Sequence, residues 1–467
     1  MTGLFPLPIA SIALRLQSLL GLVVFLAICY GIGCLWARRR LPINWRVVGF
    51  GMALQFAFAL LILKTWPGEF VFEKLDRLVQ LLLAASKEGA AFMFGNMARG
   101  QNLPVGQGGP FAFTNTDSGM VAELGAYFAF NVLPTIIFFS ALLTVLYHAG
   151  VMDKVVRGMA WVMRRSMKTT GPETLSAAAN IFVGQTEAPL FVRPFLAVMT
   201  VSELFAVMTG GFSNIASGVL GVYAGMLEAI DGAGGHLLAA SVISAPAGLV
   251  VAKLMLPEKV GVATDASLEE ATREAIDKPD ANILDAAVRG TRDGLILAAN
   301  VGAILIVFTA GVWLMNELLG WLCDGLNDGL KRVGVEGDPV PILSIEGLLG
   351  IAFHPVAWLC GIPWEHGAEA GQLIGIKTTL NEFFGYLGMQ QGLAEQGEAY
   401  LGGRRQQLIL LYALCGFANF ASVGIQIGGI GVLAPSRRKE LAKIGLLAMV
   451  GGTIASLLTA CVVGILV

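Results

Sequence analysis

Two acidic clusters interrupt long apolar runs in this chain. In NIFVGQTEAPLFVRPFL, residues 180–196, Gln185, Thr186 and Glu187 stand together ahead of Pro189, with Arg193 and Pro194 close behind. In KTTLNEFFGYL, residues 377–387, Asn381 and Glu382 form the second cluster. An amide, a hydroxyl and a carboxylate together offer mixed donors and acceptors, which suits an uncharged polar ligand, an ion or a proton. A carboxylate at the centre of a membrane span costs about 2.5–3.5 kcal/mol on insertion scales, so such groups face the interior and mark a transport path. The plain alternative is a salt bridge. Glu187 could pair with Arg193, at poor helical spacing, and Glu382 has only Lys377 nearby.

The surrounding elements are membrane elements. Of 467 residues, 55% are hydrophobic and 14% charged, where soluble domains carry about 25% charged residues. Mean hydropathy is +0.72, and 59 glycines suit tightly packed membrane helices. Apolar runs of spanning length fall at 17–36, 47–65, 127–149, 198–225, 236–256, 294–318, 405–432 and 444–467, which makes eight spans. Residues 74–95 are amphipathic and read as interfacial. The stretches 174–196 and 369–390, which hold the two acidic clusters, read as re-entrant hairpins. In the first, Pro189 would start the returning helix. The expected class is therefore an all-α polytopic membrane protein.

Lysine and arginine set the orientation. Arg38, Arg39, Arg40 and Arg46, then Lys154, Arg157, Arg164, Arg165 and Lys168, then Arg437, Arg438, Lys439 and Lys443 place three segments in the cytoplasm and both termini outside. Arg404 and Arg405 fall on the opposite side and conflict with the rule. The N-terminus lacks a basic region ahead of its first apolar run, so that run reads as a retained span. The hydrophilic loop 257–293 reads as a solvated cytoplasmic helix and turn.

The chain also repeats itself. GGFSNIASGVLGVYAG, 210–225, and CGFANFASVGIQIGGIG, 415–431, share G-F-[SA]-N-[IF]-A-S and a glycine-rich tail, and each follows one acidic hairpin. With an odd number of crossings between them, the copies would be inverted. Inverted repeats with broken helices meeting near the midplane are a secondary-transporter architecture. Unwound backbone at that depth must line a wet cavity or bind something. A kinked helix at a packing seam explains either copy alone, but not why a carboxylate precedes both.

Other chemistries find little support. The six cysteines are scattered without a C-x-x-C pair, and the four histidines form no i,i+4 pair, so neither disulfides nor a metal cluster is expected. A net charge of −2 with no basic stripe excludes a nucleic-acid partner. A membrane-embedded hydrolase would need a nucleophile or metal beside its acid, and none is evident. A passive channel fits a broken-span repeat less well than an ion-coupled carrier.

At these motifs the sequence resembles the concentrative nucleoside transporters, bacterial branch, from about residue 17 to the C-terminus. GQTEAPLFVRPFL, GGFSNIASGVL, NEFFGYL and CGFANFASVGIQIGGIG occur in the family's order. The resemblance implies a non-enzymatic homotrimer in the lipid bilayer of a bacterial inner membrane. Its eight-span protomers would move nucleosides such as uridine, cytidine or adenosine by an elevator-like shift. Residues 1–126 would give scaffold helices and an interfacial helix, 127–256 the first repeat, and 294–467 the second, with an external helix near 341–364. The nucleobase would meet Gly184, Gln185, Thr186, Glu187 and Val219. The ribose would meet Glu382, Phe417, Asn419 and Ser422. Sodium would be held by Asn180, Val183, Asn214 and Ile215, partly through backbone carbonyls. The family usually has Ser or Thr where this chain has Asn214, which leaves H+ as the alternative coupling ion to Na+.

Overall fold

The computed structural model describes residues 9–95, 98, 112–114, 121–123, 128–131, 133–258, 280–332 and 344–467. They are almost entirely helical, as the composition predicts; the exception is one antiparallel hairpin pairing Ala112–Thr114 with Val121–Glu123. Most of the 257–293 loop, residues 259–279, lies outside the described residues.

The N-terminal helices are α1 (Ile9–Ala37), α2 (Trp45–Lys64) and α3 (Trp66–Phe94). Thr65 ends one and caps the next, its hydroxyl accepting from the Gly68 N–H at 3.2 Å. A helical turn at Phe128–Asn131 precedes α4 (Leu133–His148). The basic stretch after it is the helix α5 (Val151–Met167). Met152, Val156, Ala160, Met163 and Met167 bury one face of α5 at helical spacing, while Lys154, Arg157 and Arg165 stay exposed.

The first hairpin and broken span follow as α6 (Gly171–Ala179), a non-helical tip, a 3₁₀ return at Ala188–Phe195, α7 (Val201–Ser213) and α8 (Ser217–Met226). Pro189 lies in the first turn of the return, where its missing N–H leaves no helical bond unmade. Next come α9 (Ala233–Met255) and α10 (Ile283–Arg332). The span expected at 294–318 is the middle of this single 50-residue helix. Arg289 anchors its foot to Asp280 through two bonds of 2.6 and 2.7 Å, which hold the Asp280 carboxyl below its usual range.

The second hairpin and broken span are α12 (Trp364–Thr379), α13 (Glu382–Gln396), α14 (Arg404–Leu414) and α15 (Phe420–Leu433), preceded by α11 (Ile345–Leu359) and closed by α16 (Arg438–Leu466). The helix expected near 341–364 is α11, which folds back on α12 at 115°. His354 Nε2 fastens that bend to the Trp364 carbonyl at 2.8 Å.

Six helices among the described residues are long and apolar enough to span a bilayer, counting α7 with α8 as one, and seven if the bent α11–α12 pair is added. The expected span at 127–149 contains α4, whose 16 residues are short for a crossing. The one at 405–432 is divided into α14 and α15 by residues 415–419.

Helices α9 and α16 form the centre. The first packs on α1, α2, α7 and α16, the second on α1, α7, α14 and α15. Along its most apolar stretch α9 is 89% buried and α10 only 6%. Helix α10 lies close on α4 through Gly290 and Gly294, where a Cβ would stand 2.7 Å from the Ala141 Cα and 2.8 Å from the Ile137 Cα. Its other face presents Ile306, Trp313 and Trp321 outward, a surface that needs lipid or another copy to cover it.

Arg405, one of the two arginines in conflict with the charge rule, is tied into the fold. It donates to the Gly361 carbonyl at 2.8 Å and the Gly464 carbonyl at 2.6 Å. The charge is consumed in a helix-end clamp rather than free in a loop.

Candidate functional site

The two shared motifs unwind at matching places. Helix α7 stops at Ser213 and α8 resumes at Ser217; α14 stops at Leu414 and α15 resumes at Phe420. The elbows cross. The Phe417 N–H donates to the Asn214 carbonyl at 3.2 Å. Gly416 makes the crossing feasible, with a φ of +146° and Phe212 and Ser213 carbonyls 2.9 and 3.1 Å from where a Cβ would stand.

Unwinding orphans the last carbonyls of each half-helix, and buried side chains answer them. For α14, Tyr386 Oη donates to the Leu411 carbonyl at 3.0 Å, Lys377 Nζ to Ala413 at 3.3 Å and Ser456 Oγ to Cys415 at 2.8 Å. For α7, Ser213 Oγ donates to Gly210 at 2.8 Å; further back, inside the helix, Gln426 Nε2 adds a bond to the Met208 carbonyl at 3.1 Å. Lys377, the only base near Glu382 in sequence, is thus held by a carbonyl.

Glu382 opens α13, with Asn381 as its cap, so its carboxylate sits at the positive end of the helix dipole. Tyr223 Oη donates to Oε1 at 2.7 Å and Asn419 Nδ2 to Oε2 at 3.2 Å. Each carboxylate oxygen keeps acceptor capacity. Asn419 in turn caps α15, its Oδ1 accepting from the Ser422 N–H at 2.9 Å. Phe417 is half-buried beside them.

The first hairpin tip lies against both broken spans. Ala216 lies 3.3 Å from where a Cβ on Gly184 would stand, and Thr186 Cγ2 2.8 Å from a Cβ on Gly429. Gln185 is bound on both amide atoms: Nε2 donates to Ser422 Oγ at 3.1 Å, and Oε1 accepts from Gln426 Nε2 at 3.0 Å. Residues expected at the base and at the ribose therefore meet directly, at Gln185 and Ser422. Val219 is buried in the first turn of α8.

Glu187 departs from expectation. It is exposed, its carboxylate folds over Gly184, and among the described residues no ion pair joins it to Arg193. Among the described residues the deepest acids are Glu203 and Glu173, at 0% and 1% exposure, with Glu382 at 6%. Glu173 pairs with buried Lys253 at 2.6 Å, and Lys253 reaches Glu258 at 3.3 Å. Glu173 and Glu203 also accept the N–H of Thr170 and of Thr200, capping α6 and α7. Their sequence signal is the threonine three residues ahead of each acid.

Known proteins place this arrangement. Residues 236–464 match the family described as Na+ dependent nucleoside transporter C-terminus, 12–97 its N-terminus, and 129–230 the family described as Nucleoside recognition. The uncharacterized transporter YutK of Bacillus subtilis (strain 168) is 37% identical over 455 residues, covering 97% of this chain and 99% of that protein. This chain belongs to the sodium-dependent nucleoside transporter family. Sodium/nucleoside cotransporter 1 of Rattus norvegicus is 37% identical over 462 residues, and this chain spans 64% of its length. The structure of CNTnw in an inward-facing substrate-bound state superposes with a TM-score of 0.80 at 34% identity over 97% of both chains. An outward-facing form of CNTnw gives the same score. These relatives are transporters, not enzymes.

The donor set expected for the family's ion can be tested on this chain's own atoms. Asn180 and Asn214 are 1% and 2% exposed, and the amide nitrogen of each lacks a partner. Asn214 Oδ1 instead accepts the Ser244 hydroxyl. Asn180 Nδ2 stands 3.5 Å from the Cβ position of Gly210, one turn before Asn214. Turning each amide would satisfy Asn214 Nδ2 on Ser244 and put an oxygen where each unpartnered nitrogen stands. Val183 lies on the hairpin tip and Ile215, buried, on the elbow. The residues fit an oxygen-coordinated monovalent ion.

Proposed function

We propose that this protein takes up nucleosides across a bacterial inner membrane, coupled to sodium, as a secondary active carrier. The observation that carries the reading is the convergence of two hairpin tips on two crossed elbows. Glu382 is held there by Tyr223 and Asn419, and Gln185 by Ser422 and Gln426. A ribose presents hydroxyl donors that a carboxylate with spare lone pairs accepts, while Gln185, Thr186, Glu187, Gly184 and Val219 border the base. Glu382, Phe417, Asn419 and Ser422 grip the sugar. When bound, the ion supplies positive charge at the first elbow, where Asn180, Val183, Asn214 and Ile215 hold it.

The hairpins with their broken spans form the moving unit, in an elevator-like exchange between two faces. The outward apolar face of α10 supports a scaffold contact between copies, and the family resemblance makes that assembly a homotrimer. Proton coupling is the second reading, favoured by the Asn214 substitution.

The test is radiolabelled uridine uptake into proteoliposomes, with inward sodium or proton gradients at matched potential. Accumulation driven by sodium alone is expected. Accumulation driven by protons alone would move coupling to a carboxylate. Absence of uptake for uridine, cytidine and adenosine under both gradients would overturn the substrate assignment.

A further inference from the structure

Gln426 lies outside every group assigned above to substrate or ion, yet it is fully buried and its orientation is unambiguous. The Met208 carbonyl that it meets at 3.1 Å can only accept, so Nε2 must face it. The same Nε2 meets Gln185 at 3.0 Å, and its remaining hydrogen requires an acceptor there, which is Oε1. Gln185 must then turn Nε2 toward Ser422 Oγ, at 3.1 Å. A single backbone carbonyl thereby fixes the direction of two side-chain amides in series.

The neighbourhood is built for this contact. A Cβ on Gly211 would stand 2.6 Å from Gln426 Nε2 and 3.1 Å from the Gln185 Cβ. Gly211 is therefore the opening through which Gln426 crosses from α15 to α7.

We propose that Gln426 is a positioning residue for nucleobase specificity: it locks the Gln185 amide so that an N–H, not a carbonyl, is offered to the base. This inference rests on Gln185 bordering the base, as proposed above. Gln185 Nε2 carries two hydrogens, and Ser422 takes one. The other selects a base edge with a carbonyl acceptor, as in a 4-oxo pyrimidine, over the amino group of a 4-amino pyrimidine. A site that fixes a donor against another donor leaves both unpaired, which is how hydrogen-bonding pockets discriminate.

The test replaces the lock with its opposite. In Gln426→Glu the ionised carboxylate can only accept from Gln185, and the neutral acid accepts there too when it gives its one hydrogen to the Met208 carbonyl. The Gln185 amide must turn Nε2 toward it and present Oε1 to the site. Gln426→Met fills a similar volume with no lock at all. Competitive uptake of uridine and cytidine, and their binding to purified protein, give the ratio for each form.

Wild-type protein is expected to favour uridine. Gln426→Glu should shift the uridine-to-cytidine ratio toward cytidine by roughly tenfold, and Gln426→Met should bring it close to one. A ratio unchanged in both variants, or folded variants that lose both nucleosides in parallel, would make Gln426 merely structural and overturn the proposal. If Gln426→Glu does not fold, Gln426→Met decides alone. A wild-type preference for cytidine also overturns it, with the transport reading intact; wild-type protein that takes neither nucleoside removes both.

Discussion

Tyr223, on the second half of one broken span, donates its phenolic hydrogen across 2.7 Å to Glu382, at the tip of the opposite hairpin. The two are 159 positions apart in the chain, and their bond ties the first repeat to the second. It leaves Glu382 aimed by two neutral donors, Tyr223 and Asn419, with no ion pair among the described residues consuming its charge. A carboxylate held this way is available to ligand hydroxyls.

Glu382→Gln should therefore abolish uridine uptake while the protein still folds, because one acceptor oxygen becomes a donor facing Tyr223 or Asn419. Tyr223→Phe should weaken nucleoside binding by roughly tenfold, the loss of one hydrogen bond to a charged group. Calorimetric binding of uridine, alongside uptake, checks both. Near-normal transport in Glu382→Gln would remove Glu382 from the site.

Glu187→Gln carries a different expectation, since Glu187 is exposed and has no ion pair to lose among the described residues. The variant should fold as wild type and change the relative uptake of uridine, cytidine and adenosine, or weaken all three. An unchanged nucleoside profile would exclude Glu187 from base contact. Thermal unfolding in detergent, expected to be unchanged, separates this outcome from structural damage.

Local patterns made much of this legible. The G-F-x-N repeats announced both elbows, because glycine and asparagine beside an apolar run mark unwinding rather than continuation. Pro189 announced the hairpin's return, and Asn381 and Asn419 both proved to cap helices. What stayed hidden depends on distant partners. Tyr223, Gln426 and Ser244 look like ordinary residues of apolar helices until the fold brings Glu382, Gln185 and Asn214 to them. Depth was misjudged for the same reason: Glu187 lies in the more apolar run yet is exposed, while Glu173 and Glu203 are buried because they cap helix ends inside the protein. The length of α10 escaped because its polar lower turns, Asp285 to Asp293, read as part of a separate solvated helix rather than as the foot of the span.

Lys253 offers a test of stability rather than transport. Its side chain is 7% exposed and pairs with Glu173, 1% exposed. Removing one member of such a pair strands the other's charge. Lys253→Met alone should destabilise the protein by about 3–5 kcal/mol, and adding Glu173→Gln should restore part of that loss. Denaturation of the two variants in detergent measures it. Equal stability of the single and double variants would show that the pair is not coupled.

Gly416→Ala tests the elbow crossing itself. The φ of +146° is strained for any side chain, and the new methyl would press on the Phe212 and Ser213 carbonyls, at 2.9 and 3.1 Å, as well as on Ser456 Oγ at 2.6 Å. Strain of this kind costs about 1–3 kcal/mol. It falls on the contact that carries the Phe417-to-Asn214 bond, between residues assigned to the sugar and to the ion. The variant should therefore lose ion-dependent uptake more completely than it loses thermal stability. Uridine binding measured with and without sodium checks this: the dependence of affinity on sodium should shrink toward none. A variant that keeps full sodium dependence would show that the two elbows communicate by some route other than their crossing.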